Sequence, residues 1–207
     1  MENHFDKVAQ QWDENPMHLK RTEAIAQQII YLIENKNYST ALEFGAGTGL
    51  LSFALKSYFK EIILMDNSQE MICVTIEKLA DADIHHLKPY FFDLEKNDYK
   101  AKKVDVIFVQ MALHHVIEVE VMIQKFFNIL NNSGMLFIAD LFAEDGSFHN
   151  REFLGHNGFE PEELSQTISK CGFQNVAYQQ CFEIKKQFDD NTAKTYPVFI
   201  MSAQKNI

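Results

Sequence analysis

Hydrophobic residues along the chain follow two alternating periods. Ile25, Ile29 and Leu32 lie on one face at helical spacing, which predicts an amphipathic helix over residues 22–35. Short apolar runs of strand length follow, and helical patterns separate them. The predicted strands are Thr40–Phe44, Glu61–Asp66, Leu87–Asp93, Val104–Gln110 and Gly134–Leu141. This alternation is typical of a parallel sheet with helices on both faces.

The end of the chain departs from this alternation. Pro161 at a first-turn position and Gly172 past the last turn bracket one more helix. Two final apolar runs, near residues 175–185 and 196–204, predict paired strands, and the polar segment 187–194 would form the loop between them.

Composition and charge limit the kind of protein. The 207 residues suit a single domain. The net charge of −10 would repel a duplex nucleic acid, so we expect no nucleic-acid partner. The three cysteines lack a C-x-x-C spacing, which suits a reducing cytoplasm. The N-terminus lacks the apolar core of a signal peptide, and no apolar run approaches the ~20 residues of a membrane span. We therefore expect a cytoplasmic protein without a membrane partner.

Four of the predicted strands end in polar side chains, which are Glu43, Asp66, Asp93 and Gln110. In an open sheet with parallel strands, ligands bind outside the carboxyl ends of the strands. The sequence therefore predicts a ligand site at this edge of the sheet.

A glycine loop lies between the first strand and the next helix. Gly45, Gly47 and Gly49 allow a positive φ and a close approach of the backbone to a ligand. A dinucleotide site favours G-x-G-x-x-G, whereas Leu50 occupies the position of the third glycine here. A nicotinamide or flavin dinucleotide is thus disfavoured but stays an alternative. A Walker loop is excluded because no G-K-[ST] follows.

Asp66 lies 66 − 45 = 21 residues after the first glycine, at the end of the next strand. A carboxylate there can accept two hydrogen bonds from a ribose diol. The alternative is that Asp66 only begins the following helix. We predict that Asn67 caps that helix, with Glu70 in capping-box position, which favours the ligand-binding interpretation of Asp66.

Asp93 follows the third predicted strand. Its carboxylate can reach the exocyclic amine of an adenine, with Leu94 packed on the ring. The alternative interpretation is a turn aspartate.

The segments LEFGAGTG, LMDNS, FFDLE and VDVIFVQMALHHV resemble, in this order, the class I S-adenosylmethionine-dependent methyltransferases. The chain is most similar to the small-molecule branch that includes the ubiquinone and menaquinone methyltransferases, from about Phe5 to Gln204. The resemblance implies an α/β fold: a Rossmann-like, seven-stranded, mostly parallel sheet with helices on both faces and a reversed final strand. It also implies methyl transfer from S-adenosylmethionine to a small-molecule acceptor.

The resemblance assigns roles to ten cofactor-binding residues. Glu43 would orient the glycine loop and meet the methionine amino group, and Gly45, Ala46 and Gly47 would pass under the methionine moiety. Asp66 would hold the ribose hydroxyls, Asn67 and Met71 would border the adenine, and Asp93 with Leu94 would contact its other side. Gln110 would lie beneath the sulfonium.

We predict a single domain with four parts. Residues 1–35 would form an N-terminal helical cap and residues 36–141 the cofactor-binding core. Residues 142–160, rich in phenylalanine and glycine, would form a lid over the acceptor, and residues 161–207 a helix and a strand pair.

Catalytic residues are not fixed by the sequence. The candidates are His114, His115, His149 and His156, and a base is needed only for an acceptor with a high pKa. No metal cluster with convincing spacing occurs, so we predict no metal site. We expect a monomer or a homodimer. The alternatives are a methyltransferase acting on protein or RNA, or a non-catalytic protein that binds S-adenosylmethionine or NAD.

Overall fold

A seven-stranded sheet forms the centre of the protein. The computed structural model describes residues 4–149, 153–189 and 192–206. The strands are β1 (Thr40–Phe44), β2 (Glu61–Asp66), β3 (Leu87–Phe91), β4 (Val104–Gln110), β5 (Leu130–Leu141), β6 (Phe173–Asp189) and β7 (Thr192–Lys205). Their order across the sheet is β3-β2-β1-β4-β5-β7-β6.

The first five strands run parallel, and β7 pairs antiparallel with both β5 and β6. The predicted Rossmann-like sheet with a reversed final strand is therefore confirmed. Strand order reverses between β1 and β4, so the cleft between these neighbours is the expected ligand site.

Six helices in the described part of the chain connect or cover the strands. They are α1 (His4–Val8), α2 (Pro16–Ile33), α3 (Leu50–Leu55), α4 (Gln69–Asp81), α5 (Val119–Ile129) and α6 (Pro161–Lys170). Short 3-10 turns at Ala9–Glu14, Lys56–Tyr58 and Leu113–His115 complete the described helical structure. No helix of the described ranges is both long and apolar enough to cross a membrane.

Two hydrophobic layers sandwich the sheet. Leu42, Ile107 and Ile138 pack with α5 and α6 on one face, where Phe126 is fully buried. Neighbouring positions on the same strands point to the opposite face, because side chains alternate along a strand. There Ala41 packs with α2 and α3.

Several predicted boundaries were wrong. Strand β3 ends at Phe91 and not at Asp93, and β5 begins at Leu130 and not at Gly134. Helix α4 is capped by Ser68, whose side chain accepts a 3.2 Å hydrogen bond from the backbone N–H of Met71, and not by Asn67. The terminal strands extend through most of the predicted loop 187–194, because β6 and β7 continue their ladder out to Asp189 and Thr192. The turn between them falls outside the described residues.

Candidate functional site

A cavity of about 330 Å³ opens at the carboxyl ends of β1, β2 and β4. All ten residues predicted to bind a cofactor line it, together with parts of the N-terminus and of the predicted lid. The ten are Glu43, Gly45, Ala46, Gly47, Asp66, Asn67, Met71, Asp93, Leu94 and Gln110. The strand ends thus come together as the sequence predicted.

The glycine loop shapes one wall of this cavity. Gly45 has φ +66°, and a Cβ added there would lie 2.4 Å from the Cβ of Ala112. Gly47 has φ +54°, but a Cβ added there would meet only the sulfur of Met71, at 3.8 Å. Gly45 is therefore required for packing against the segment after β4, whereas the missing side chain of Gly47 leaves space in the cavity.

Asp66 fixes the shape of the loop. Its carboxylate accepts hydrogen bonds from the backbone N–H of Gly47 at 2.7 Å and from that of Ser68 at 2.8 Å. Burial raises the pKa of Asp66, although these hydrogen bonds oppose the shift. Asp66 thus contacts the start of α4 and also faces the cavity. Its position agrees both with a helix-start residue and with a ligand-binding carboxylate.

Glu43 lies beneath the glycine loop with 2% of its surface exposed. Its Oε2 accepts hydrogen bonds from the hydroxyl of Ser52 and from the backbone N–H of Ser52, the latter at 3.1 Å. Burial raises the pKa of Glu43 to about 8. A cationic group in the cavity would offset the cost of ionising this carboxyl.

Asp93 lies two residues beyond the end of β3. Its carboxylate accepts hydrogen bonds from the backbone N–H of Lys96 at 3.2 Å and from the Lys96 Nζ at 2.6 Å. Asp93 is therefore a turn aspartate that also borders the cavity, beside Leu94.

The N-terminal segment, residues 4–15, crosses the same edge of the sheet. Asp6 accepts a 2.6 Å hydrogen bond from the Ser68 hydroxyl, and Asp13 accepts one of 2.5 Å from the Thr48 hydroxyl. Phe5 and Trp12 line the cavity between these contacts. The segment therefore covers the glycine loop and the start of α4.

This geometry agrees with comparisons to known proteins. Residues 42–138 match the family described as a methyltransferase domain. An uncharacterized methyltransferase of Bacillus cereus is 28% identical over 214 residues, which cover 97% of this chain and 96% of the relative. An uncharacterized methyltransferase of Schizosaccharomyces pombe is 28% identical over 157 residues. That match covers 68% of this chain, and the chain spans about half of the yeast relative, 55% of its length.

A solved structure has the same fold. The S-adenosylmethionine-dependent methyltransferase of Clostridium acetobutylicum superposes with a TM-score of 0.71 at 16% identity, covering 99% of this chain and 100% of the other. Residues 42–138 therefore resemble a methyltransferase domain, and the chain has the fold of this S-adenosylmethionine-dependent methyltransferase.

The cavity wall contains two unusual buried polar atoms. One belongs to the predicted residue Gln110 and the other to Arg21, which the sequence analysis did not single out. The Nε of Arg21, a side chain only 4% exposed, and the Oε1 of Gln110 have no hydrogen-bond partner among the described residues. Burial lowers the pKa of Arg21 to about 10, which still leaves it charged at neutral pH. A signal for Arg21 existed in the sequence, because it precedes Ile25 and Ile29 at four-residue spacing on the buried face of α2.

The hydrogen-bonding groups of the cavity can be compared with those at the methionine end of S-adenosylmethionine. That end carries a carboxylate and an ammonium group. Arg21 offers a buried donor for the former, and Gln110 and Glu43 offer buried acceptors for the latter. The residues present fit S-adenosylmethionine.

The fold brings three of the four predicted histidines together. His114, His115 and His149 line the cavity and will be called the histidine cluster. The Nδ1 of His114 lies 2.6 Å from the Oδ1 of Asp140. His156 is not part of the cavity wall: its backbone N–H donates to the carbonyl of His114 at 2.7 Å, and its ring packs against Phe159.

Proposed function

We propose that this methyltransferase transfers a methyl group from S-adenosylmethionine to a small-molecule acceptor. One observation carries the proposal: a single cavity is lined both by the glycine loop with its acids and by the histidine cluster. We infer that the methyl donor binds at the loop end and faces an acceptor at the histidine end.

The loop end suits the adenosyl and methionine groups. Gly47 leaves room for the ligand, and Asp66 is held by two backbone N–H groups with further lone pairs available for ribose hydroxyls. Asn67 and Met71 border the adenine on one side, and Asp93 and Leu94 on the other. Arg21 pairs with the carboxylate, while Glu43 and Gln110 accept from the ammonium group.

The histidine end suits an acceptor of small size. The N-terminal segment covers the cavity with Phe5 and Trp12, and the predicted lid contributes Phe148 and His149. These covers leave a cavity of about 330 Å³, at the lower end of small-molecule sites. We infer that they exclude water from the reacting groups and admit no folded macromolecule.

The chain contributes mainly positioning. When bound, S-adenosylmethionine supplies a methyl group on a sulfonium, which an acceptor takes by in-line displacement. Fixing two reactants in line can provide ~7–11 kcal/mol of the rate enhancement. The loop, Asp66 and Glu43 orient one reactant, and the aromatic covers orient the other.

A thermal-shift comparison tests the cofactor assignment. S-adenosylhomocysteine should raise the melting temperature through linkage, and NADH should not, because Leu50 replaces the third dinucleotide glycine. Binding of NADH with no response to S-adenosylhomocysteine would overturn the proposal.

A screen of small metabolites for S-adenosylhomocysteine release tests the acceptor class. We expect turnover with a small molecule and none with bulk RNA or protein. The assignment to the ubiquinone and menaquinone branch and the cytoplasmic location are part of this proposal. A quinol precursor among the active acceptors would support the branch.

A further inference from the structure

The histidine cluster has the composition and spacing of a metal site. One ring nitrogen of each of His114, His115 and His149 lies within 4.8 Å of one nitrogen of each of the others. Three nitrogens bound to one zinc ion at ~2.0–2.1 Å lie roughly 3.3 Å apart in tetrahedral geometry. Each ring therefore needs to move by about 1 Å or less to share an ion.

The ring positions agree with the same arrangement. The ring centroid of His114 lies 4.2 Å from that of His115 and 5.0 Å from that of His149. The centroids of His115 and His149 are 5.6 Å apart. Three imidazoles on one tetrahedral ion have centroids about 5 Å apart, because each ring extends along its metal–nitrogen bond. The observed separations lie on both sides of this value.

Asp140 supplies the second feature of a metal site. Its Oδ1 accepts from the Nδ1 of His114 at 2.6 Å, and its two oxygens also accept the backbone N–H groups of Leu141 and His114, at 2.8 and 3.1 Å. Asp140 is fully buried and His114 is 1% exposed. A carboxylate that holds one ring nitrogen leaves the other, Nε2, with its lone pair available to a metal.

Packing restrains the other two rings. The ring of His149 stacks on that of Phe153 at 3.8 Å, and the ring of His115 meets the edge of Phe5 at 5.1 Å. The ligands come from two places, the turn after β4 and the predicted lid, and the carboxylate that holds His114 comes from the end of β5. The cluster is thus assembled by the fold, which explains why spacing along the sequence gave no sign of it.

We propose that His114, His115 and His149 bind one divalent transition-metal ion of the zinc class, with a fourth position open to the cavity. Three neutral imidazoles with an open position are typical of catalytic rather than structural zinc. Gly45 packs directly against Ala112, two residues before His114, so the histidine cluster lies next to the glycine loop of the methyl-donor site.

The open position defines the acceptor class. It would take a thiol or hydroxyl of the acceptor in place of a metal-bound water, and that water would carry the proton of the thiol or hydroxyl out to solvent as it leaves. The metal lowers the pKa of that group and makes it a nucleophile at neutral pH. This step rests on the proposed function for the methyl donor, whereas metal binding itself does not.

Cobalt provides a direct test, because Co²⁺ in a tetrahedral site absorbs visible light. We expect the full-length chain, after chelator treatment and dialysis, to bind one Co²⁺ with a tetrahedral spectrum that Zn²⁺ abolishes. Adding 2-mercaptoethanol should produce a sulfur-to-cobalt band through the open position. Absence of stoichiometric binding would overturn the site, and absence of the sulfur band would overturn the open position.

Variants separate this site from its surroundings. H115A and H149A should each lose tetrahedral Co²⁺ binding, and D140N should weaken it by about ten- to a hundred-fold through His114. H156A is the matched control, because His156 lies outside the cavity wall and its contact to His114 is made by the backbone. Wild-type Co²⁺ binding in both H115A and H149A would refute the proposal.

S-adenosylhomocysteine binding by the same variants separates the two proposals. H149A should bind it within a few-fold of wild type while losing Co²⁺, which also shows that the variant is folded. If wild type binds Co²⁺ but not S-adenosylhomocysteine, the metal site stands and the proposed function fails.

Discussion

Asp13 and Lys78 form an ion pair of 2.5 Å that connects the N-terminal segment to helix α4 at the edge of the cavity. Lys78 also donates to the carbonyl of Thr48 at 2.8 Å, and Thr48 donates its hydroxyl to Asp13. The three groups form a closed set of contacts over the glycine loop. A ligand held under the loop is therefore enclosed as long as Asp13 keeps these contacts.

We expect D13A to release S-adenosylhomocysteine faster and to bind it about three- to ten-fold more weakly. The change removes hydrogen bonds worth roughly 0.5–1.5 kcal/mol each, and partial exposure of the pair keeps the effect near the lower end. Stopped-flow measurement of the dissociation rate provides the test.

Glu77→Ala is the matched control for D13A. Glu77 is an exposed carboxylate beside Lys78 on the same helix, but it does not line the cavity. A dissociation rate of D13A equal to that of the control would mean that the N-terminal segment does not enclose the ligand.

Gly45 and Gly47 form a second test, because both have positive φ but differ in their surroundings. Alanine costs ~1–2 kcal/mol in the left-handed conformation at either position. At Gly47 the methyl group has room in the protein, so G47A should fold and bind S-adenosylhomocysteine at least tenfold more weakly. At Gly45 the methyl group meets Ala112, so G45A should lose distinctly more stability.

Urea unfolding and calorimetry on both variants distinguish these effects. Normal ligand binding by G47A would show that its Cβ position is not part of the cofactor site.

Local patterns explain what the sequence predicted well. The strand Thr40–Phe44 and the loop after it are specified by an apolar run followed by glycine, and no distant contact is needed to predict them. The position of Asp66 follows from β2, whose apolar run ends there. The convergence of the ten predicted residues on one cavity follows from parallel strand order alone.

Local hydrogen bonds explain the wrong helix cap, and distant contacts explain the residues that were missed. Ser68 rather than Asn67 caps α4, because Asp66 accepts the Ser68 N–H and sets the chain so that the Ser68 hydroxyl meets Met71. His149 joins His114 only because the segment after β5 folds back across the turn after β4. The spacing of hydrophobic residues does not predict such a contact. It does not predict the ion pair between Asp13 and Lys78 either.

Asp66 has two partners in the loop, which changes the expected result of D66A. The backbone N–H groups of Gly47 and Ser68 lose their acceptor, so the variant should be destabilised by about 1–3 kcal/mol. Its affinity for S-adenosylhomocysteine should fall by roughly ten- to a hundred-fold, since charged hydrogen bonds are worth about 1.5–3 kcal/mol. Urea unfolding and calorimetry measure the two effects.

D105A provides the comparison. Asp105 accepts from the backbone N–H groups of Ser39 and Thr40 at 2.8 and 3.0 Å, and it does not line the cavity. It should lower stability without changing ligand affinity. If D66A binds as tightly as D105A does, Asp66 only organises the loop.

The buried carboxyl of Glu43 predicts a dependence of stability on pH. Its pKa is about 8 in the folded protein, against an ordinary value of 4.5. Between these two values the unfolded chain releases the proton while the folded chain retains it, so stability falls as pH rises through this window. E43Q should lose this part of the pH dependence and gain stability relative to wild type at pH 8.

Ligand binding should shift the same proton. If the ammonium group of S-adenosylhomocysteine lies near Glu43, as we propose, binding favours the ionised carboxylate, and a proton leaves at pH 7. Calorimetry in several buffers measures this release, because the observed binding enthalpy changes with the ionisation enthalpy of the buffer in proportion to the number of protons released. We expect a clear release from wild type and none from E43Q, with binding strengthening as pH rises toward 8. Zero release from wild type would mean that the ammonium group lies elsewhere and that Glu43 stabilises the loop through Ser52 alone.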